Sequence, residues 1–93
     1  MTKTATTETA LPLITVRVQL FASYAEALGA DTLELSLEEP ATVGDAVLRI
    51  RALPGGDRLP PRPLCAVNLS QVGPSAALEP GDELALLPPL SGG

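Results

Sequence analysis

Between Leu13 and Phe21 the chain alternates: Ile14, Val16, Val18 and Leu20 are apolar, and Thr15, Arg17 and Gln19 between them are polar. A period of two puts one set on each face of an extended chain, which predicts a strand with one buried and one wet face. The pattern returns at Leu33, Leu35 and Leu37, spaced by Glu34 and Ser36. Between these strands, SYAEAL at 23–28 followed by Gly29 predicts a short helix, with Ser23 as N-cap and Gly29 as the stop. From Thr42 the period becomes helical, with Val43, Ala46, Val47, Ile50 and Leu53 on one face. Thr42 and Asp45 have capping-box spacing. Arg49 and Arg51 lie where the helix dipole favours cations, and Pro54-Gly55-Gly56 ends the helix.

A loop rich in Pro and Gly, residues 54–63, leads to two further strands, predicted at 64–68 and 70–73. Glu79-Pro80-Gly81-Asp82 has the residues of a type II turn, and ELALLPP forms the last strand. Residues 1–12 are polar, Thr-rich and aperiodic, and read as a disordered leader. The domain then spans 13–88, with a flexible tail over 89–93. Two strands around a short helix, one main helix, then three strands define an α+β chain. The arrangement that fits is a β-grasp: a mixed sheet of four to five strands, one main helix and a short extra helix. A ferredoxin-like sandwich is the competitor. The shortness of the first helix and the three strands after the second favour the grasp.

The composition narrows the chemistry. Ninety-three residues suit one small domain with little core to hollow into a pocket. There is no histidine and one cysteine, so histidine-based nucleophilic catalysis, His-ligated metals and thiolate clusters are excluded within the chain. A net charge of -5 opposes nucleic-acid binding. No apolar run approaches the roughly 20 residues of a membrane helix, and the N-terminus does not resemble a signal peptide, so the expected location is cytoplasmic and away from membranes. The lone Cys65 lies in an apolar strand, where a cysteine is usually a small buried hydrophobe. The pairs Glu38-Glu39 and Asp82-Glu83 flank turns and point to opposite faces, which predicts solvated edges rather than an acid/base dyad. Gly55-Gly56 follows a helix and lacks the setting of a phosphate loop.

What remains is the C-terminus, PPLSGG. Two prolines give a stiff exit from the last strand. From Pro88 to Gly93 the chain reaches about 20 Å when extended. Gly92 and Gly93 have no side chains, so the end can thread a narrow channel into another protein's active site. A carboxylate offered there is a poor electrophile until it is activated, for instance as an acyl-adenylate. A sulfur nucleophile can then replace the leaving group.

The segments VNLSQVGPSAALEPGDELALLPPLSGG and VRVQLFASYAEALG resemble the ubiquitin-like small subunit of molybdopterin synthase over roughly residues 14–93. The shared elements are a VN strand, a GDE turn, an apolar strand, two prolines and terminal Gly-Gly, with an opening strand ending in Phe-Ala. The resemblance implies a β-grasp fold and a carrier that binds no cofactor of its own. An ATP-dependent adenylyltransferase would activate Gly93, with Gly92 beside it. A sulfur donor protein would convert Gly93 to a thiocarboxylate. The tail would enter the large synthase subunit, within a heterotetramer, and give sulfur to a cyclic pyranopterin monophosphate. The partner-facing residues implied are Phe21, Leu87, Pro88, Pro89, Leu90 and Ser91, while Gln71 stands where the family can carry an apolar contact. No metal site is implied.

Three other readings compete. The thiamine-pathway sulfur carrier shares the chemistry, but SYAEALG and the double proline favour the molybdopterin branch. A ubiquitin-like modifier would deliver the same activated carboxylate to lysine amines of other proteins. A plain interaction module would make the Gly-Gly incidental.

Overall fold

The computed structural model describes residues 12–89. The opening alternation becomes β1 (Leu13–Leu20), followed by α1 (Ala22–Leu28), β2 (Thr32–Glu38), β3 (Ala41–Thr42) and α2 (Val43–Arg51). After a 3-10 turn at Gly56–Arg58 come β4 (Leu64–Val67), β5 (Ser70–Val72), β6 (Ala77–Leu78) and β7 (Glu83–Leu87). Five strands form one sheet in the order β2-β1-β7-β4-β5, and β3 pairs with β6 in a separate two-stranded ladder. All neighbours are antiparallel except β1 and β7, which run parallel with Leu20 opposite Leu86. This is the β-grasp. The parallel pairing of first and last strands removes the ferredoxin-like alternative.

One sheet face carries the core. Ile14, Val16, Val18 and Leu20 of β1 join Leu35, Leu37, Cys65, Leu84 and Leu86, packed against Val43, Ala46, Val47 and Ile50 of α2. Each large side chain buried in this way is worth about 1.5–3 kcal/mol. Among the described residues the buried side chains are apolar apart from the Tyr24 hydroxyl and the Cys65 thiol, and none is charged.

The N-terminus of α2 is closed by its own chain. Thr42 and Asp45 form the expected capping box. The Val43 amide donates to the Ala76 carbonyl and the Gly44 amide to the Pro74 carbonyl, both at 2.9 Å. The first amides of a helix normally need outside partners. Here they have them, and none is left for an anion.

Several expectations are corrected. Ser23 does not cap α1: the N-cap is Phe21, with no side-chain bond, and Ala22 at φ 50 turns the chain into the helix. Gly29 does stop it, at φ 74. Leu53 lies beyond the end of α2 and is 36% exposed. The strand predicted at 64–68 ends at Val67, because Asn68 and Leu69 form the turn to the next, and the strand predicted at 70–73 ends at Val72. The ladder of β3 and β6 was not anticipated.

Gly55 and Gly56 hold a close approach rather than a ligand. A Cβ on Gly55 would lie 1.9 Å from the Ala27 carbonyl oxygen, and one on Gly56 2.1 Å from that of Ile50. The two glycines let the chain leaving α2 run directly against the backbone of α1 and of α2 itself.

Candidate functional site

The tail leaves from the middle of the sheet. β7 is paired on both sides, by β1 and β4, as far as Leu87. Pro88 and Pro89 follow, and neither has an N–H to extend the ladder, so the strand must stop there. Pro88 is half-buried and Pro89 exposed. Leu90, Ser91, Gly92 and Gly93 lie outside the described residues, as do residues 1–11 of the expected leader 1–12; its last residue, Pro12, is described, and its carbonyl accepts from the Glu39 amide at 2.9 Å.

Where the tail departs, the sheet face away from α2 is apolar. Buried Leu86 faces the core, so Leu87 faces out and is half-buried. Phe21, the residue after Leu20 on the neighbouring strand, is 42% exposed. Neither Phe21 nor Leu87 belongs to the buried core. A third member was missed: Leu64 pairs with Leu87 and is 44% exposed. Its signal lay in the sequence, because burying Cys65 turns Leu64 outward by alternation. Next along the same face run Ala85 and Ala66, with exposed Gln71 opposite Ala66 at the edge. The surface is therefore apolar at the tail end and becomes short and polar toward β5.

The other end of β7 is fastened by side chains. Asn68 donates from Nδ2 to Asp82 Oδ1 and accepts at Oδ1 from the Glu83 amide, both at 3.0 Å. Asp82 also accepts from the Glu79 amide at 2.8 Å through Oδ2, closing the turn in which Gly81 sits at φ 84. Asp82 is thus a structural clasp and not merely a solvated edge. Glu38 and Glu39 are exposed, as expected. The VN and GDE segments are one device, joining two turns and setting the register of β7.

The nucleophilic side chains are quiet. Cys65 is buried and its thiol donates to the Pro63 carbonyl at 3.3 Å. Burial pushes its pKa up to about 11. The thiolate is the reactive form, so a thiol held neutral in this way is inert near neutrality. Burial, and secondarily the nearby Cys65, also raises the Tyr24 hydroxyl, which has no hydrogen-bond partner among the described residues. Arg49 and Arg51 donate to the carbonyls of Ser36 and Leu59, which ties the end of α2 to β2 and to the following loop. Among the described residues no group of three or more Asp, Glu, Cys or His side chains is placed to hold a metal. No helix among them is long and apolar enough to cross a membrane.

The ThiS family profile matches residues 18–93. Small archaeal modifier protein 1 of Haloferax volcanii is 36% identical over 88 residues, covering 81% of this chain and 97% of that protein. A crystal structure of the modifier protein from that organism superposes with a TM-score of 0.74 at 32% identity, over 85% of this chain and 99% of the other. A Pyrococcus furiosus protein assigned as molybdopterin converting factor subunit 1 superposes with a TM-score of 0.72 at 25% identity, over 83% of this chain and 99% of its own.

Proposed function

This chain belongs to the ThiS family, and from that premise we propose that it is a sulfur carrier for molybdopterin synthesis, working through the carboxylate of Gly93. The observation that carries this reading is the placement of the tail. A double proline ends the central strand and the sequence runs on to two glycines, beside an exposed apolar strip, in a domain with no buried charged residue among those described. Such a domain is suited to presenting its end rather than to doing chemistry in its body.

In this reading an ATP-dependent adenylyltransferase activates Gly93. The carboxylate oxygen attacks the α-phosphorus and pyrophosphate leaves. The terminal sulfur of a persulfide on the sulfur donor protein then displaces AMP to give an acyl disulfide, and a second thiol attacks the donor's sulfur in that S–S bond, so that the thiocarboxylate leaves and the two thiols end as a disulfide. Phe21, Leu64 and Leu87 dock on the large synthase subunit, while Pro88, Pro89, Leu90 and Ser91 lead Gly92 and Gly93 into its pocket. Cations of that subunit hold the pterin phosphate, because a carrier of net charge -5 is unsuited to it. The chain itself needs no cofactor, and the exchange takes place in the cytoplasm.

The similarity to a small archaeal modifier protein favours a second reading, delivery of the same activated carboxylate to amines. The two share every step up to activation and differ in the acceptor. Intact mass of the chain purified from its host tests the first directly: one C-terminal oxygen should be replaced by sulfur, and deletion of Gly92 and Gly93 should abolish the change. A chain that carries only its native carboxylate while molybdopterin is being made would refute sulfur carriage.

A further inference from the structure

β2 is the last strand on its side of the sheet, so one of its edges has no partner strand. The Asp31 carbonyl and the Glu39 amide both bond toward the β1 side, to Leu20 and Pro12. Backbone bonding direction alternates along an antiparallel strand. Thr32, Glu34, Ser36 and Glu38 therefore aim their N–H and C=O groups away from the sheet. The Ser36 carbonyl has a partner there: the Arg49 guanidinium donates to it at 3.1 Å. Arg49 thus stands guard over the middle of an open edge, as natural sheets require.

An open groove runs beside that edge, between residues 36–40 and the α2 side chains Asp45, Leu48 and Arg49, with Leu13 also in its lining. Leu13 and Leu48 are 63% and 66% exposed, which leaves two apolar side chains uncovered in one groove. The charge around them is acidic. Glu38, Glu39 and Asp45 stand against Arg49 alone, and Glu34 is exposed further along the same edge. Arg17, opposite Glu34, is shared with Glu83 on its other side. The groove is also remote from the tail. Leu13 and Glu38 pair at one end of β1, and Leu20, beside the tail exit, is at the other, about 23 Å away at ~3.3 Å per residue. An occupant leaves the strip of Phe21, Leu64 and Leu87 free.

We infer that this edge takes up an extended segment of another protein in which basic and apolar residues alternate, added to the sheet as a further strand beside β2. Main-chain bonds supply affinity in such an addition, and alternate side chains supply specificity. The alternation follows from geometry, because side chains of the added strand point by turns to the two sheet faces. Leu35 and Leu37 are buried, so Glu34 and Glu38 lie on the outer face, where opposite charge stabilises a cross-strand pair. The apolar stem of a basic residue there covers Leu13. On the other face an apolar side chain covers Leu48. To bond the middle of β2, the segment displaces Arg49 from the Ser36 carbonyl. A second copy of this chain does not fit. Two β2 edges would set the glutamates of one against those of the other, and Arg17, the one basic residue in the described strands, lies in β1, which is paired on both sides.

The test titrates the isotope-labelled full-length chain with the peptide Lys-Val-Lys-Val-Lys-Val-Lys and follows amide shifts by NMR. Shifts should centre on Glu34, Ser36, Glu38 and Leu48, and the three strand amides should exchange with solvent more slowly in the complex. Leu48→Ser, at an exposed position, should fold and weaken binding about tenfold. Arg49→Ala, which frees the Ser36 carbonyl, should tighten it about threefold. The same peptide methylated on its lysine backbone nitrogens keeps every side chain and charge but loses the N–H groups that face β2, and it should not bind. Equal binding by the methylated peptide would reduce the effect to net charge and overturn the inference. So would shifts that avoid β2, or a free chain that sediments as a dimer with its β2 amides already protected, which would give the edge to a second copy.

Discussion

Replacing Leu69 with glycine should stabilise the domain. Leu69 is the second residue of the two-residue turn between β4 and β5, at φ 74, and is 95% exposed. Its neighbour Asn68 is also left-handed, at φ 49. Positive φ at both positions is the geometry that favours Asn-Gly, and Asn is already present. Holding a residue with a Cβ in this region costs about 1–2 kcal/mol. Glycine removes that cost but gives the unfolded chain more freedom, worth roughly 0.5–1 kcal/mol. The side chain touches almost nothing, so little burial is lost. The balance is a gain of about 0.5–1 kcal/mol. At ~4–8 °C per kcal/mol for a domain of this size, Tm should rise by about 2–8 °C. Thermal melts of wild type, Leu69→Gly and Leu69→Ala provide the assay. Alanine keeps the Cβ and should stay close to wild type. A glycine variant no more stable than the alanine variant would show that the strain argument is wrong.

Three further outcomes are expected. Gly56→Ala should cost about 2–3 kcal/mol or prevent folding, because its Cβ would meet the Ile50 carbonyl oxygen at 2.1 Å and backbone cannot swing aside; a chemical melt unchanged from wild type would contradict this. Stability should fall as pH rises from 9.0 to about 11, because Cys65 ionises at its ordinary value when unfolded and only near the upper one when folded. Across that window the unfolded chain has lost a proton that the native one keeps, and burial of Tyr24 works in the same direction. Cys65→Ala should flatten the pH profile, and an equal slope in both proteins would count against it. Leu87→Glu should fold with a loss of about 1 kcal/mol or less, since the side chain faces out, yet fail to bind the large synthase subunit, where a carboxylate would be buried unpaired. Tight binding in a pull-down or by calorimetry would remove Leu87 from the interface.

The long alternating and helical segments were legible because burial on one face imposes a period, and β1, β2 and α2 each run for two or more repeats of it. The ladder of β3 and β6 was not, because two residues have no period. Ser23 was misread as a cap because serine announces capping wherever it stands. Here Ala22 takes the left-handed turn instead, and Phe21 occupies the cap position. The role of Asp82 depends on Asn68, fourteen residues away, and the crowding around Gly55 depends on Ala27 across the fold. Neither contact has a local signature. At the candidate site, the alternation in β7 could not choose a face, and the structure turns Leu87 and Leu64 outward together. The terminal glycines were identified from sequence alone and keep that standing.

The parallel pairing of β1 and β7 has a mechanical consequence. The leader attaches at the start of one strand and the tail at the far end of the other. A pull applied between them, as by a translocating machine, acts along the strands. It loads the bonds from the Arg17–Glu83 pair to the Leu20–Leu86 pair in shear, all at once, instead of peeling them apart one by one. Resistance to forced unfolding is set by the unfolding barrier and not by equilibrium stability. A domain of modest stability is thus gripped where it is hardest to tear open, and a machine that must unravel it would do better to start from the edge strands β2 or β5.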